Sequence, residues 1–295
     1  MTKNKIYFLM VCSTLFWAGA FIAGKYTVPY IPTFTLTFFR FFYAIIILYF
    51  VMKRMKVVFR PEKDKIPVYL FTGIVGMFGY HVLFFTALKY TTAINTSIIA
   101  AACPMMTTLM AVLFLRNRLG IKQVVGILLS FTGVLLTITG ADPAILRGFT
   151  FNAGDLWMLA AVAAFAAYSV YSKGKGKGME PIVLTYYSFL VCTIVLIPFV
   201  IYERPWEFLH SIPASAHLAV LYMSIFPSVI GYLVQQMAIK EIGPSKTSIF
   251  FNLVPPFSII LAVLILREAL EPVKLLTTAL IIAGVYICQR DQSDG

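Results

Sequence analysis

Arg40 and His81 are the side chains best placed to act on a solute, because each sits inside a long apolar stretch rather than beside one. A charge at bilayer depth is costly and needs a reason. A guanidinium lying about 10 Å along a helix from its end can hold a carboxylate; it can equally snorkel towards the interface or cap a neighbouring helix's carbonyls. His81 follows Gly73, Gly76 and Gly79, a run suited to close helix packing. Its imidazole can bind a solute or carry a proton near neutral pH, and the plainer use is a hydrogen bond to an adjacent helix. Other chemistry is sparse. All twelve Asp and Glu residues, Asp155, Glu180, Glu203 and Glu268 among them, fall in loops or at helix ends. Cys12, Cys103, Cys192 and Cys288 lie in four different apolar stretches, which indicates neither a zinc site nor a disulfide framework. The absence of an HExxH motif, a Walker loop or a paired intramembrane aspartate argues against metalloprotease, ATP-driven and aspartyl-protease chemistry. No cofactor, metal or enzymatic activity is expected.

The elements that must position these residues are membrane helices. Sixty per cent of the chain (60%) is hydrophobic and only 12% charged, outside the range of water-soluble domains. A bilayer core about 30 Å thick takes roughly 20 helical residues to cross, and apolar stretches of that length recur from end to end. Ten spans are predicted: 6–26, 33–52, 66–88, 92–115, 121–139, 154–172, 182–202, 216–239, 246–266 and 272–289. The first follows Lys3 and Lys5 and contains Ala18, Gly19 and Ala20, so it resembles a signal peptide; the similar helices that follow mark it as retained. Lys and Arg fall unevenly between alternate loops, with seventeen on one side, including the cluster from Lys53 to Lys65, and six on the other. The positive-inside rule then predicts that both termini are cytoplasmic in the cytoplasmic membrane. The net charge of +12 thereby reflects topology and is no argument for nucleic acid.

The two halves repeat one pattern. Thr96, Ser97, Ile98, Pro104, Leu115, Arg116, Leu119 and Gly133 return 151 residues later as Thr247, Ser248, Ile249, Pro255, Leu266, Arg267, Leu270 and Gly284. Such a gapless offset across separate spans marks a duplication, with repeats at 1–145 and 146–289 and a tail at 290–295. Five helices per repeat is an odd number, so the second copy enters the membrane from the opposite face. Inverted repeats of this kind build secondary transporters, with the solute site near the midplane. Pro104 and, at the matched place, Pro255 with Pro256 interrupt their helices and serve as hinges or as borders of a cavity. The alternating run from Lys173 to Gly178 reads as a flexible solvated link.

Phe16, Trp17 and Ala18 in the first span, Pro32 followed by Arg40 and Phe41 in the second, and Gly154, Asp155 and Leu156 at the entry to the sixth carry a resemblance. With the helix endings Leu115 to Leu119 and Leu266 to Leu270, they make the chain resemble the EamA-type transporters of the drug/metabolite transporter superfamily. The resemblance implies an all-α integral membrane protein of ten transmembrane helices, arranged as two inverted five-helix repeats. It also implies a central cavity enclosed by helices that here present Trp17, Tyr80, His81, Phe84, Asn95, Ser97, Tyr168, Tyr232, Gln235, Gln236 and Asn252, with Arg40 as charge partner. Rings supply contact area there and amides fix orientation. Where such helix endings often carry a Gly-Glu pair, this chain has Arg116 and Asn117, then Arg267 and Glu268. Small multidrug exporters of the superfamily use a first-helix glutamate; the corresponding helix here offers Cys12, Ser13 and Thr14. The expected function is a permease moving a small neutral or zwitterionic metabolite, amino-acid-like above all, by alternating access. The alternatives are an exporter of drugs or choline-like cations, or a non-transporting membrane enzyme or scaffold. The partners are the cargo and the lipid bilayer, and a full repeat pair in one chain is compatible with a working monomer or a homodimer.

Overall fold

The computed structural model describes residues 3–57, 61, 63–115, 120–142, 145, 151–176, 178–242, 247 and 250–290. Arg60, Arg116 to Leu119, Arg147, Lys177, Lys246, Ser248, Ile249 and the tail at 291–295 lie outside these residues. Among the described residues 88% are helical and none is in a strand. Among the described residues ten long helical segments follow one another: α1 (Lys3–Thr27), α2 (Thr33–Arg54), α3 (Lys63–Tyr90), α4 in two pieces (Ala93–Ala100 and Cys103–Leu115), α5 (Ile121–Thr139), α6 (Ala153–Lys175), α7 (Pro181–Glu203), α8 (Ala214–Ile242), α9 (Phe250–Leu266) and α10 (Pro272–Arg290). Eight are long and apolar enough to cross a bilayer, and the last two have shorter apolar stretches.

Helix is the form that satisfies each backbone donor and acceptor within its own segment, which a lipid solvent demands. Buried hydroxyls follow the same rule. Ser13, Thr72, Thr137 and Thr193 each donate to the carbonyl four residues earlier on their own helix, at 2.8 to 2.9 Å. Large apolar side chains remain on the outside, Phe50 at 62% exposure and Leu264 at 73%; on a bilayer-embedded bundle these positions face lipid.

The repeat governs packing. Helix α2 lies against α7 and α5 against α10, each pair made of two repeat mates, while α1 packs on α8 and α9 as α6 packs on α3 and α4. The α5–α10 crossing depends on glycine: a β-carbon at Gly133 would land 2.7 Å from Ile281 Cγ1, and one at its mate Gly284 would land 2.5 Å from the Ser130 amide nitrogen. Small residues let membrane helices approach this closely.

The regular helix is interrupted at matched places. Helix α4 breaks at Ala101 and Ala102, just before Pro104, and α9 opens with a 3₁₀ turn, Phe250–Leu253, just before Pro255. Each proline thus occupies the first turn of a new helix, where its missing N–H costs nothing; the break falls one turn upstream of the proline rather than at it. A second pair of interruptions has no proline in common. Thr72–Gly79 in α3 and Ser224–Gly231 in α8 are wound as π-helix, a rare form that appears mostly at functional places.

Charged side chains at one end of the bundle serve as helix caps. Glu203 accepts from the amides of Phe34 and Thr35 at 3.2 and 2.6 Å, at the start of α2. Glu268 accepts from Ala93 and Ile94 at 2.9 and 3.0 Å, at the start of α4. Lys25 reaches the end of α3, donating to the carbonyls of Leu88 and Thr91 at 2.8 and 2.7 Å. Anions at N-termini and a cation at a C-terminus complement the helix dipoles.

Candidate functional site: a ring-lined chamber between the repeats

Helices α3 and α8, just past their π segments at Thr72–Gly79 and Ser224–Gly231, and the two broken helices contribute to the lining of one cavity. It is lined by Trp17, Ala20 and Phe21 of α1, Arg40 of α2, Tyr80, His81 and Phe84 of α3, Ala100 of α4, Phe165 of α6, Tyr232 of α8, and Phe251 and Val254 of α9. A water-sized sphere can move its centre through only about 40 Å³ of it, room for a few waters.

The geometry at its centre follows the repeat. His81 and Tyr232 are mates, 151 positions apart, and they meet: the Tyr232 hydroxyl is 3.4 Å from His81 Nε2, a long contact. His81 Nδ1 is 2.9 Å from the carbonyl of Met77, inside the π segment of α3. A carbonyl only accepts, so Nδ1 carries the proton and Nε2 is left to accept from Tyr232. Trp17 and Tyr168 are likewise mates. The indole Nε1 donates to the carbonyl of Pro227 at 3.1 Å, within the π segment of α8, and its ring stacks on Phe251 with centroids 4.8 Å apart and planes at 11°. Tyr168 packs at the corresponding place on α3, where a β-carbon on Gly76 would strike its ring.

Arg40 has no such counterpart, for position 191 is Val191. Its side chain does not snorkel: it is 2% exposed, and Nε donates to Ser228 Oγ at 2.8 Å. Ser228 passes its own proton to the carbonyl of Met223 at 2.8 Å, five residues back along the π turn.

Of the residues expected from sequence, Trp17, Arg40, Tyr80, His81, Phe84 and Tyr232 line the chamber. Asn95, Ser97, Tyr168, Gln235 and Asn252 do not. Asn95 turns its Nδ2 towards the Asp155 carboxylate, at 3.3 and 3.5 Å, which also accepts from Thr91 Oγ1 at 2.7 Å. Ser97 donates to the carbonyl of Ile94 at 2.9 Å, and the Tyr168 hydroxyl accepts from Gln236 Nε2 at 2.6 Å. The amide oxygens of Gln235 and Asn252 are buried with no partner among the described residues. Pro104, Pro255 and Pro256 border the breaks rather than the cavity. Phe21, Phe165 and Phe251 also line the chamber, outside the side chains expected there. One signal pointed to the last: Ala100 and Phe251 stand 151 positions apart, each one turn before a repeat-matched proline.

A ring-lined chamber between the two halves of the chain, with irregular backbone beside it, sits within a set of membrane-length helices. The chain belongs to the EamA-like transporter family, which matches residues 4–139 and again residues 152–289. It is 31% identical over 286 residues to the uncharacterized transporter YyaM of Bacillus subtilis, covering 97% of this chain and 93% of that one. It is 25% identical over 235 residues to a probable terminal-alkyne amino-acid exporter of Streptantibioticus cattleyicolor, covering 78% and 75%. A solved crystal structure superposes with a TM-score of 0.69, covering 97% and 96% of the two chains, and at 20% identity it speaks to fold alone. The protein is thus a multi-pass membrane protein of a transporter family.

Proposed function

We propose that the protein is a secondary permease carrying a small, amphipathic, amino-acid-like metabolite across the cytoplasmic membrane, by alternating access between its inverted repeats. The observation that carries this reading is the meeting of twofold mates, His81 and Tyr232, inside the chamber. A solute held at a twofold axis is presented with two related exits, and rocking one repeat against the other opens each in turn. The ring-rich lining supports an amphipathic cargo, and the name of the Streptantibioticus relative supports amino-acid-like chemistry. A drug or choline-like cation is supported less well, because the lining holds a guanidinium and no carboxylate.

With both termini cytoplasmic, the end that carries Lys25, Glu203 and Glu268 faces outward. There Glu268, from the second repeat, holds the start of α4 in the first, and this contact is the outer closure that must release when the chamber opens outwards. Counterflow in proteoliposomes tests the function. Preloaded vesicles should accumulate at least one labelled member of a panel of amino acids, choline-like solutes, nucleotides and dyes faster than empty vesicles; no acceleration for any of them contradicts the permease reading.

A further inference from the structure

Arg40 is a permanently charged group with five N–H donors, buried in the chamber wall. Among the described residues its guanidinium makes one hydrogen bond, Nε to Ser228 Oγ, and no ion pair. The rings of Phe41 and Phe85 flank it at 5.7 and 5.8 Å from their centroids. Two terminal nitrogens are thus left without a protein acceptor among the described residues, on a side chain that lines the cavity. A buried charge without a counter-ion is strongly unfavourable, and among the described residues no Asp or Glu lines the cavity. The π turn of α8 fixes the fork, since Ser228 spends its proton on Met223 and offers Arg40 only a lone pair. Nor is Arg40 part of the duplicated framework: its mate 151 positions on is Val191, which packs against Gly73 and does not line the cavity.

We propose that Arg40 binds the carboxylate of the cargo through its two terminal nitrogens, and that a carboxylate is required of any solute the protein carries. The inference rests on the permease reading above and deepens it. A carboxylate accepts two parallel N–H bonds from a guanidinium and supplies the missing counter-charge. The ammonium of an amino acid then lies among ring faces such as Trp17, Phe84 and Phe251, which attract cations. That second contact is optional; the first is not.

Matched sets of probes test this on the full chain: for phenylalanine, leucine and the other apolar amino acids, the acid, its primary amide and its des-amino acid. Thermal stabilisation of the purified protein and counterflow in proteoliposomes are both read. The expected result is that at least one acid binds and crosses, that its des-amino acid still binds, and that its amide binds at least about thirtyfold more weakly, as for loss of one partner of a buried charge pair. Arg40→Gln is expected to erase the preference for acid over amide, and Arg40→Lys to restore part of it. Should Arg40→Gln fail to fold, the acid and amide compared on the unaltered protein decide the matter alone. Equal binding of acid and amide, or an unchanged preference in folded Arg40→Gln, overturns the assignment and leaves the permease standing. If no probe binds, and nothing in the wider solute panel crosses, the permease reading fails and the assignment with it.

Discussion

At the scale of single residues, the chamber uses side chains that hold open the irregular backbone around them. The indole of Trp17 occupies a carbonyl of the α8 π segment, and the imidazole of His81 occupies one in α3. Each takes an acceptor that a regular helix would satisfy internally, so each tolerates the π winding rather than forcing it out. Trp17→Phe keeps the ring and deletes the donor. We expect a loss of about 1 kcal/mol in stability, read as a fall of a few degrees in melting temperature, with a larger fractional loss of counterflow; unchanged transport would mean the indole N–H has no part in the cycle. Tyr232→Phe should likewise slow transport while leaving expression intact, because the 3.4 Å contact is too long to contribute much to folding. Arg40 and His81 were legible because their cost announced them, a charge and an imidazole in an apolar run, whereas Trp17, Tyr80, Phe84 and Tyr232 were marked only by the family resemblance. Asn95 was misplaced as a chamber amide for a physical reason. Its partner, Asp155, is 60 residues away on another helix, and spacing along one helix carries no trace of that bond.

At the scale of helices, ends and crossings decide what moves. Glu268 pins the first amides of α4 from the other repeat, a charge-assisted contact at a helix N-terminus. Glu268→Gln should weaken it by about 1 kcal/mol, raising amide exchange at Ala93 and Ile94 roughly fivefold; exchange at the native rate would show that other contacts hold this end. The α5–α10 crossing should behave oppositely, as a fixed seam. Gly284→Val drives side-chain atoms into the backbone of Ser130, which cannot retreat as a flexible side chain could. A cost of about 1–3 kcal/mol is expected, seen as poor recovery of folded protein or a clear drop in melting temperature. Helix number and span were legible because a lipid solvent demands long apolar runs, and the predicted 33–52 is realised as Thr33–Arg54. The π segments were not. Thr72–Gly79 and Ser224–Gly231 have only a closing glycine in common, too common a residue in these spans to mark a π turn.

At the scale of the whole molecule, one relation organises the rest: two five-helix bundles, duplicated, opposed in the membrane, and meeting at a ring-lined chamber with one unshared cation. The 151-residue offset made the duplication visible in the sequence, and the same offset brings His81 against Tyr232 and sets Trp17 and Tyr168 at corresponding places, on α8 and on α3. It also pairs Lys56 with Glu207, both exposed and both in loops between helices. An inverted relation requires these two mates to lie on opposite faces of the membrane; a parallel relation would put them on the same face. In a cysteine-free background, Lys56→Cys and Glu207→Cys should differ sharply when intact cells are treated with a membrane-impermeant maleimide, position 207 labelling readily and position 56 only after the membrane is opened. Labelling of both from the same side would contradict the inversion, and with it the alternating-access account.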